Sequence, residues 1–436
     1  MNYRHYFLVM LLLVLCPLAL HSQQRTLTLD ELFALADANS KALQVSDYGI
    51  KAAHEEALGA RNSRLPSVNA SLSGSYIGDG YLCDRDFKNG MRIDMPHFGN
   101  NFALQVAQVL YAGGAINSGI ALADLGEQMA DLEFSQKQQE VRFLLTGYYL
   151  DIFKLSNQLK VYDENIALTE QLLQSLRDRE QEGLALKNDV TRFELQLEGL
   201  RLQREHIANG KEIINYQLNQ VIGLDANVVI CPDTTLLSYV MPEQGETEWQ
   251  QSAMGSSLPI RQLDLVVDIN RQKEKLSRSA LLPKLAIVAE EHFDGPILIE
   301  VPVINKNFNY WFVGLGLQYD LSALYKSRHG ISKARIETQK ALQEKELVKD
   351  NIDNAVHAVY LQYRQSFNDQ RVCEKSLNLA NTNYDMTTDR FNNDMAVLTD
   401  MLDATNAKLS ASLELANAKI STLYYYYNLK YLIGEL

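Results

Sequence analysis

Asp385 and Asp389 stand four positions apart in a stretch without proline, the spacing that stacks two side chains one turn apart on a single helix face. Two carboxylates so placed draw cations and repel anions, the chemistry of a pore lining. Arg390 follows directly, which favours the plainer reading of a solvated, ion-paired helix face. The other chemistry-bearing residues are dispersed. His97, His292, His329 and His357 fall in unrelated stretches. There is no phosphate-cradling glycine loop with its lysine, no His-Glu-x-x-His and no nucleophile elbow. Cys83, Cys231 and Cys373 are too far apart for a zinc pattern, and three cannot all pair, so they read as free structural thiols. Tyr424, Tyr425, Tyr426 and Tyr427 cover every side of a helix; packing is the expected role and substrate stacking the alternative. No convergent polar groups suggest catalysis. The expectation is a protein that is not an enzyme and uses no cofactor or metal.

Any such face needs elements to position it, and the chain states its elements twice. Arg61-Asn62-Ser63-Arg64-Leu65-Pro66 returns as Arg278-Ser279-Ala280-Leu281-Leu282-Pro283, 217 positions later. Ile222-Gly223 returns as Ile433-Gly434, 211 positions later, and at that offset Tyr149-Leu150 meets Tyr360-Leu361 and Asp178-Arg179 meets Asp389-Arg390. The second copy is therefore six residues shorter between Pro283 and Leu321. This is a tandem duplication, and each copy reads as a unit that cannot close a core alone. The expected divisions are a targeting segment at 1–22, a first repeat at 23–223, an equatorial linker at 224–246 and a second repeat at 247–436.

The targeting segment has Arg4 and His5 ahead of an apolar run, with small and polar residues at His21-Ser22-Gln23, as a secretory signal does. Cys16 lacks the small preceding residue of a lipid-anchor site. No later stretch holds the roughly 18 apolar residues of a spanning helix. The net charge of −13 argues against nucleic acid as a partner. An exported chain of this kind is periplasmic, secreted or a β-barrel.

Prolines are absent from 97–231 and 303–436, which permits very long helices. Leu145, Tyr148, Ile152, Leu155, Leu159, Tyr162, Ile166, Leu173 and Leu176 follow spacings of three and four, missing a step at Thr169. Val190, Phe193, Leu197, Leu200, Ile207, Ile214, Leu218 and Val221 continue the seam on a descending helix, interrupted by Arg204 and Lys211. That is a coiled-coil pattern, and a helix from about Ala115 to Glu182 would reach about 100 Å. The turns fall at Gly183-Leu184-Ala185-Leu186 and, in the second copy, Asp394-Met395-Ala396-Val397. Leu184, Leu186, Met395 and Val397 are apolar residues at expected turn tips, as interaction sites are.

Each copy also carries two strands. Val68–Tyr76 and Trp311–Tyr319 alternate apolar with small or polar residues; Phe102–Val106 and Leu285–Phe293 are their weaker partners. Val68, Ala70, Leu72, Phe102, Leu104, Val106, Trp311, Val313, Leu315, Leu317 and Tyr319 make the apolar set, expected to face lipid, with Trp311 and Tyr319 as rim aromatics. Gly314, Gly316, Gln318 and Asp320 face the other way. Four strands cannot close a barrel, since about eight is the minimum, so several chains must share one. Each repeat thus reads helix, strand, loop, strand, very long helix, turn, helix, with loops at Gly78–Asn100 and Asp294–Asn309.

The chain resembles the TolC family of outer-membrane efflux proteins over essentially its whole length after the targeting segment. The matching residues are Leu65-Pro66-Ser67-Val68 and Leu282-Pro283-Lys284-Leu285, Leu110-Tyr111-Ala112-Gly113-Gly114, Glu182-Gly183-Leu184-Ala185 with Asp189-Val190, and Leu402-Asp403-Ala404-Thr405 with Leu415-Ala416-Asn417-Ala418. The resemblance implies an α+β membrane protein that is a homotrimer. Its strands would close one outer-membrane barrel, and its helices a long coiled-coil barrel across the periplasm. The tips would dock a periplasmic adaptor protein, and an inner-membrane pump of the resistance-nodulation-division type would supply the energy. Asp385 and Asp389 would then ring the pore. The family has glycine where Asp394 stands. The alternatives are the outer-membrane component of a type I protein secretion system and, in another class, a non-conducting structural coiled coil that spans the periplasm.

Overall fold

The computed structural model describes residues 24–233, 236, 244–300, 303–393 and 395–436; the targeting segment 1–22, part of the linker 224–246 and Asp394 lie outside them. The chain runs β1 (Gln24–Leu27), α1 (Leu29–Asn39), α2 (Lys41–Arg61), β2 (Ser67–Tyr76), β3 (Gly80–Leu82), β4 (Met91–Ile93), β5 (Phe98–Ala112), α3 (Ala115–Gln181) and α4 (Lys187–Ile222). It continues as β6 (Val229–Pro232), α5 (Glu246–Ser256), α6 (Leu258–Ser279), β7 (Lys284–Gly295), β8 (Phe308–Gln318), α7 (Ala323–Lys326), α8 (Arg328–Asn392) and α9 (Leu398–Ile433).

The duplication is plain in the helices. α3 and α4 have 67 and 36 residues, α8 and α9 have 65 and 36. α4 and α9 both end on a left-handed glycine, Gly223 at φ 72° and Gly434 at φ 78°. Glycine is needed at Gly223 for space as well as for its dihedral: a Cβ there would come within 2.7 Å of Asn39 Cβ. The single helix expected ahead of each strand pair is in fact two. The breaks fall at Ser40 and Ser257, buried residues 217 positions apart that swing to extended backbone; their N–H groups donate to the carbonyls of Ala36 and Ala253. Neither glycine nor proline marks the break at Ser40, so helical periodicity ran through it, whereas Gly255 and Pro259 flank the break at Ser257.

The described residues form two compact units, one from those within 24–45, 135–257 and 351–436, the other from those within 46–134 and 258–350. In the second unit β2, β5, β7 and β8 form one antiparallel sheet in the order β2-β5-β7-β8. The central pair, β5 with β7, joins the two repeats. β5 spans 15 residues, far beyond the Phe102–Val106 core that alternation marks, because ladders on both sides satisfy its polar ends. The loop after β2 is not structureless either: β3 and β4 make a hairpin of their own, with Arg92 paired to Asp79.

In the first unit the linker contributes β6, which pairs in parallel with β1. Asn215 and Asn219, buried on α4, hold the turn ahead of β6. Asn215 Nδ2 donates to Val228 O at 2.8 Å and Asn215 Oδ1 accepts from Ile230 N–H, while Asn219 Nδ2 donates to Val228 O at 2.7 Å. The coiled-coil seam buries Leu145, Ile152, Leu173, Leu176, Val190, Phe193, Leu197, Leu200 and Leu218. The missing step, Thr169, is buried in the seam too, its hydroxyl donating to Asn165 O at 2.7 Å. A back-bonded threonine satisfies its one donor and so can occupy a core position that a hydrophobicity pattern skips.

Candidate functional site

The sheet sorts its side chains by chemistry. Antiparallel register sets Val68 against Val106, Ala70 against Leu104 and Leu72 against Phe102. It carries the same face across to Ala289, Glu291 and Phe293, and on to Trp311, Val313, Leu315 and Leu317. Cross-strand partners share a face, so ten of the residues chosen by alternation lie together. Two details differ. β8 starts at Phe308, which puts Trp311 inside the strand and not at its end, and Tyr319 lies just beyond the last strand residue. Glu291 and Asn309 also sit on this face, hydrogen-bonded to each other at 3.3 Å.

The opposite face is polar. On β2 it is Ser67, Asn69, Ser71, Ser73 and Ser75; on β5 it includes Asn101 and Gln105. On β7 it carries Glu290, His292 and Asp294, and their strand partners on β8 are Phe312, Tyr310 and Phe308. These aromatics correct the expectation of a purely small or polar second face: Phe308 and Tyr310 precede the Trp311–Tyr319 stretch, and Phe312 shares the parity of Gly314, Gly316 and Gln318 within it. The three β7 residues are half-buried, whereas Ile287, Glu291 and Phe293 on the apolar face are exposed, so the sheet crowds its polar side.

The two turns are built alike. Gly183 has φ +77° with open space around its Cβ position, so only dihedral strain opposes a larger residue there. Leu184 N–H donates to Arg179 O and Met395 N–H to Arg390 O. Leu186 and Val397 each donate a backbone N–H to an aspartate three residues on, Asp189 and Asp400, both at 3.3 Å. Ala185 and Ala396 pack against a shared core of Leu173, Leu176, Val190, Phe193, Leu197, Tyr384, Phe391 and Met401. Leu184, Leu186, Met395 and Val397 do not join it and are 62–73% exposed. Alternation of half-buried and bare apolar residues within one turn separates the residues that close the hairpin end from those that do not. Arg179 ties the two turns together: it donates to Phe391 O and Asn392 O, each at 3.3 Å, and lies over the Phe391 ring. Its place in the duplication, opposite Arg390, was the one signal available.

Asp385 and Asp389 are both exposed on α8. Arg390 does not pair with them; it donates to Met395 O at 3.1 Å. Directly before Asp385 in the helix, burial pushes the Tyr384 phenol above its ordinary range. The tyrosine run packs: Tyr424 against Phe143, Tyr426 against Trp249 and Tyr363, Tyr427 against the cluster of Leu150, Phe153, Ile420 and Leu423. Cys83, Cys231 and Cys373 are free thiols. Among the described residues no group of three or more His, Cys, Asp or Glu could hold a metal ion, and no helix is long and apolar enough to cross a membrane.

Sequence reasoning passed over Tyr149. Its hydroxyl donates to Leu27 O at 2.9 Å and accepts from Asp233 N–H at 2.7 Å, bridging both sides of the β1–β6 ladder. Desolvation by burial pushes this phenol up to about 12.

Residues 249–435 match the family model described as outer membrane efflux protein. A search of curated protein sequences finds no match. Among solved structures the chain is similar to the outer membrane protein VceC of Vibrio cholerae, with TM-score 0.76 at 13% identity over 93% of this chain and 96% of that one. It is similar to the MtrE outer membrane channel of Neisseria gonorrhoeae in its open state, with TM-score 0.73 at 14% identity over 93% and 88%. The CmeC outer membrane channel of Campylobacter jejuni gives TM-score 0.70 at 15% identity over 93% and 85%. At these identities the likeness establishes a shared fold.

Proposed function

We propose that the chain is a member of the outer membrane efflux protein family, whose model its second repeat matches and whose unit its first repeat duplicates, and that it is the passive exit duct of a tripartite efflux system. The observation that carries this reading is the four-stranded sheet, apolar on one face and polar on the other, with β2 and β8 left unpaired at its edges. An open sheet of this kind is stable in a bilayer only when its edges pair, because unsatisfied backbone groups in lipid cost several kcal/mol each. Three copies closing edge to edge would make a barrel of ordinary outer-membrane size. The face of Val68, Leu72, Phe102, Leu104, Val106, Val313, Leu315 and Leu317 would meet lipid, and the serine-rich face would meet water.

The protein is not an enzyme in this reading, and a partner pump drives transport, in keeping with a sequence that carries no phosphate-cradling glycine loop. Gly183-Leu184-Ala185-Leu186 and Met395-Ala396-Val397 are the surfaces for a periplasmic adaptor. Asp385 and Asp389, repeated in each copy, would place a ring of carboxylates in the path and favour cations.

Single-channel recording in a planar bilayer tests the proposal. Stable conductance with a preference for K+ over Cl− is expected, and the preference should fall in Asp385→Asn/Asp389→Asn. A trimer that inserts yet passes no current would overturn the duct in favour of a structural tether.

A further inference from the structure

The polar face of the sheet holds aromatic rings that ordinary channel lining does not call for. Phe308, Tyr310 and Phe312 are 54%, 38% and 46% exposed there. Rim aromatics belong on the lipid face, where Trp311 is, so a belt at the membrane surface does not account for them. Nor does closure of the barrel, since the strand that would come beside β8 is β2, whose residues on this face are serines and an asparagine.

Each ring has a charged or ionisable strand partner: Glu290 opposite Phe312, His292 opposite Tyr310, Asp294 opposite Phe308. β5 holds the carboxylates in place. Gln105 Nε2 donates to Glu290 Oε1 at 2.7 Å, and Asn101 Nδ2 donates to Asp294 Oδ1. Within this frame the His292 ring stacks on Tyr310 at 4.9 Å and 10°, and Phe308 stacks on Tyr310 at 5.4 Å. Glu290 lies 3.1 Å from Nε2 of His292, and Asp294 lies 3.7 Å from Nδ1. The protein thus already lays one of its own planar, protonatable heterocycles on an aromatic ring between two carboxylates. The rings on either side, Phe308 and Phe312, stay about half exposed beside the same carboxylates.

We propose that Glu290, Asp294, Phe308, Tyr310 and Phe312 form a binding site for aromatic organic cations on the water-facing wall of the barrel. The inference rests on the exit-duct reading for its water-facing side. A carboxylate supplies charge attraction, an aromatic face supplies stacking and a cation–π contact, and together they prefer a cation with an apolar body to a bare metal ion or a neutral ring. The site lies on the strands β7 and β8, whereas Asp385 and Asp389 are on α8.

Isothermal titration of the purified protein in a neutral maltoside detergent tests this with benzyltrimethylammonium, beside tetramethylammonium and benzyl alcohol. Saturable binding of the first is expected, at least tenfold tighter than of the other two. Glu290→Gln and Tyr310→Leu should each weaken it at least tenfold, Phe312→Leu less, and Asp385→Asn not at all. Native mass spectrometry of each variant confirms the assembly. Absence of saturable binding overturns the site. So does loss in Glu290→Gln without loss in Tyr310→Leu, which would reduce the wall to plain charge attraction. Binding without conductance would sink the duct and leave the site standing; conductance without binding would do the reverse.

Discussion

Tyr149 shows how much one hydroxyl can carry. It is 1% exposed and serves two backbone groups on separate segments. Tyr149→Phe removes the hydroxyl that serves both Leu27 O and Asp233 N–H from a buried place, a loss of about 1–3 kcal/mol. The raised pKa adds a pH signature. Between pH 10 and about 12 the unfolded chain ionises this phenol while the folded one keeps it neutral, so stability is complete below 10 and falls through that window. The loss is about 3 kcal/mol. Thermal unfolding of the solubilised protein from pH 9 to 12 should show that slope, and Tyr149→Phe should flatten it; an unchanged slope would remove Tyr149 as its source. On the sheet, Leu315 and Gln318 lie on opposite faces. Leu315→Arg should destabilise the barrel by about 2–4 kcal/mol, with Gln318→Arg much milder. Urea titration of folding into bilayers separates the two, and equal losses would mean that the faces are reversed. The apolar members of this set were readable from alternation alone. The aromatic partners on the other face were not, because Phe308, Tyr310 and Phe312 look like strand hydrophobes until register assigns them to the polar side.

At the scale of elements, the helical hairpins were the most legible part. Spacings of three and four between apolar residues report a seam wherever a neighbour helix lies alongside, as α3, α4, α8 and α9 do at the core of Leu173, Leu176, Val190, Phe193, Leu197, Tyr384, Phe391 and Met401. The short elements were illegible for the converse reason. β1 and β6 have four residues each and exist because they pair with each other across 205 positions of sequence. Nothing within either segment requires a strand. The break at Ser40 is similar, being placed by burial. The turns between long helices carry their own prediction. Gly183→Trp has room for its side chain and pays only the left-handed dihedral, about 1–2 kcal/mol. Leu184→Asp alters a side chain that packs on nothing in the described core. Both variants should therefore reach the outer membrane at normal abundance and lose drug resistance. Full resistance at normal abundance in both would take the turns out of the mechanism.

For the whole molecule, the unpaired edges of β2 and β8 demand other copies. The helices agree. Leu195, Leu202 and Tyr216 on α4 are exposed at multiples of seven, and Val372, Leu379 and Met386 on α8 repeat at seven. Second seams of this kind are expected to be covered by neighbouring copies. Native mass spectrometry in detergent should give a trimer, and Leu379→Glu should loosen it; a stable wild-type monomer would sink this assembly. What the sequence determined by itself was the duplication, the long helices and the strand pairs. Each of these is written as a local period or as a copy at a fixed offset, and so needs no knowledge of what touches what. The tertiary structure alone decided the parallel β1–β6 tie, the bridge of Tyr149, the linking role of Arg179 and the pairing of Glu290, His292 and Asp294 with aromatic rings. Those depend on register and on contacts between segments far apart in the chain. Sequence period sets which way a residue points along its own strand or helix, but only the neighbouring backbone fixes what it meets there.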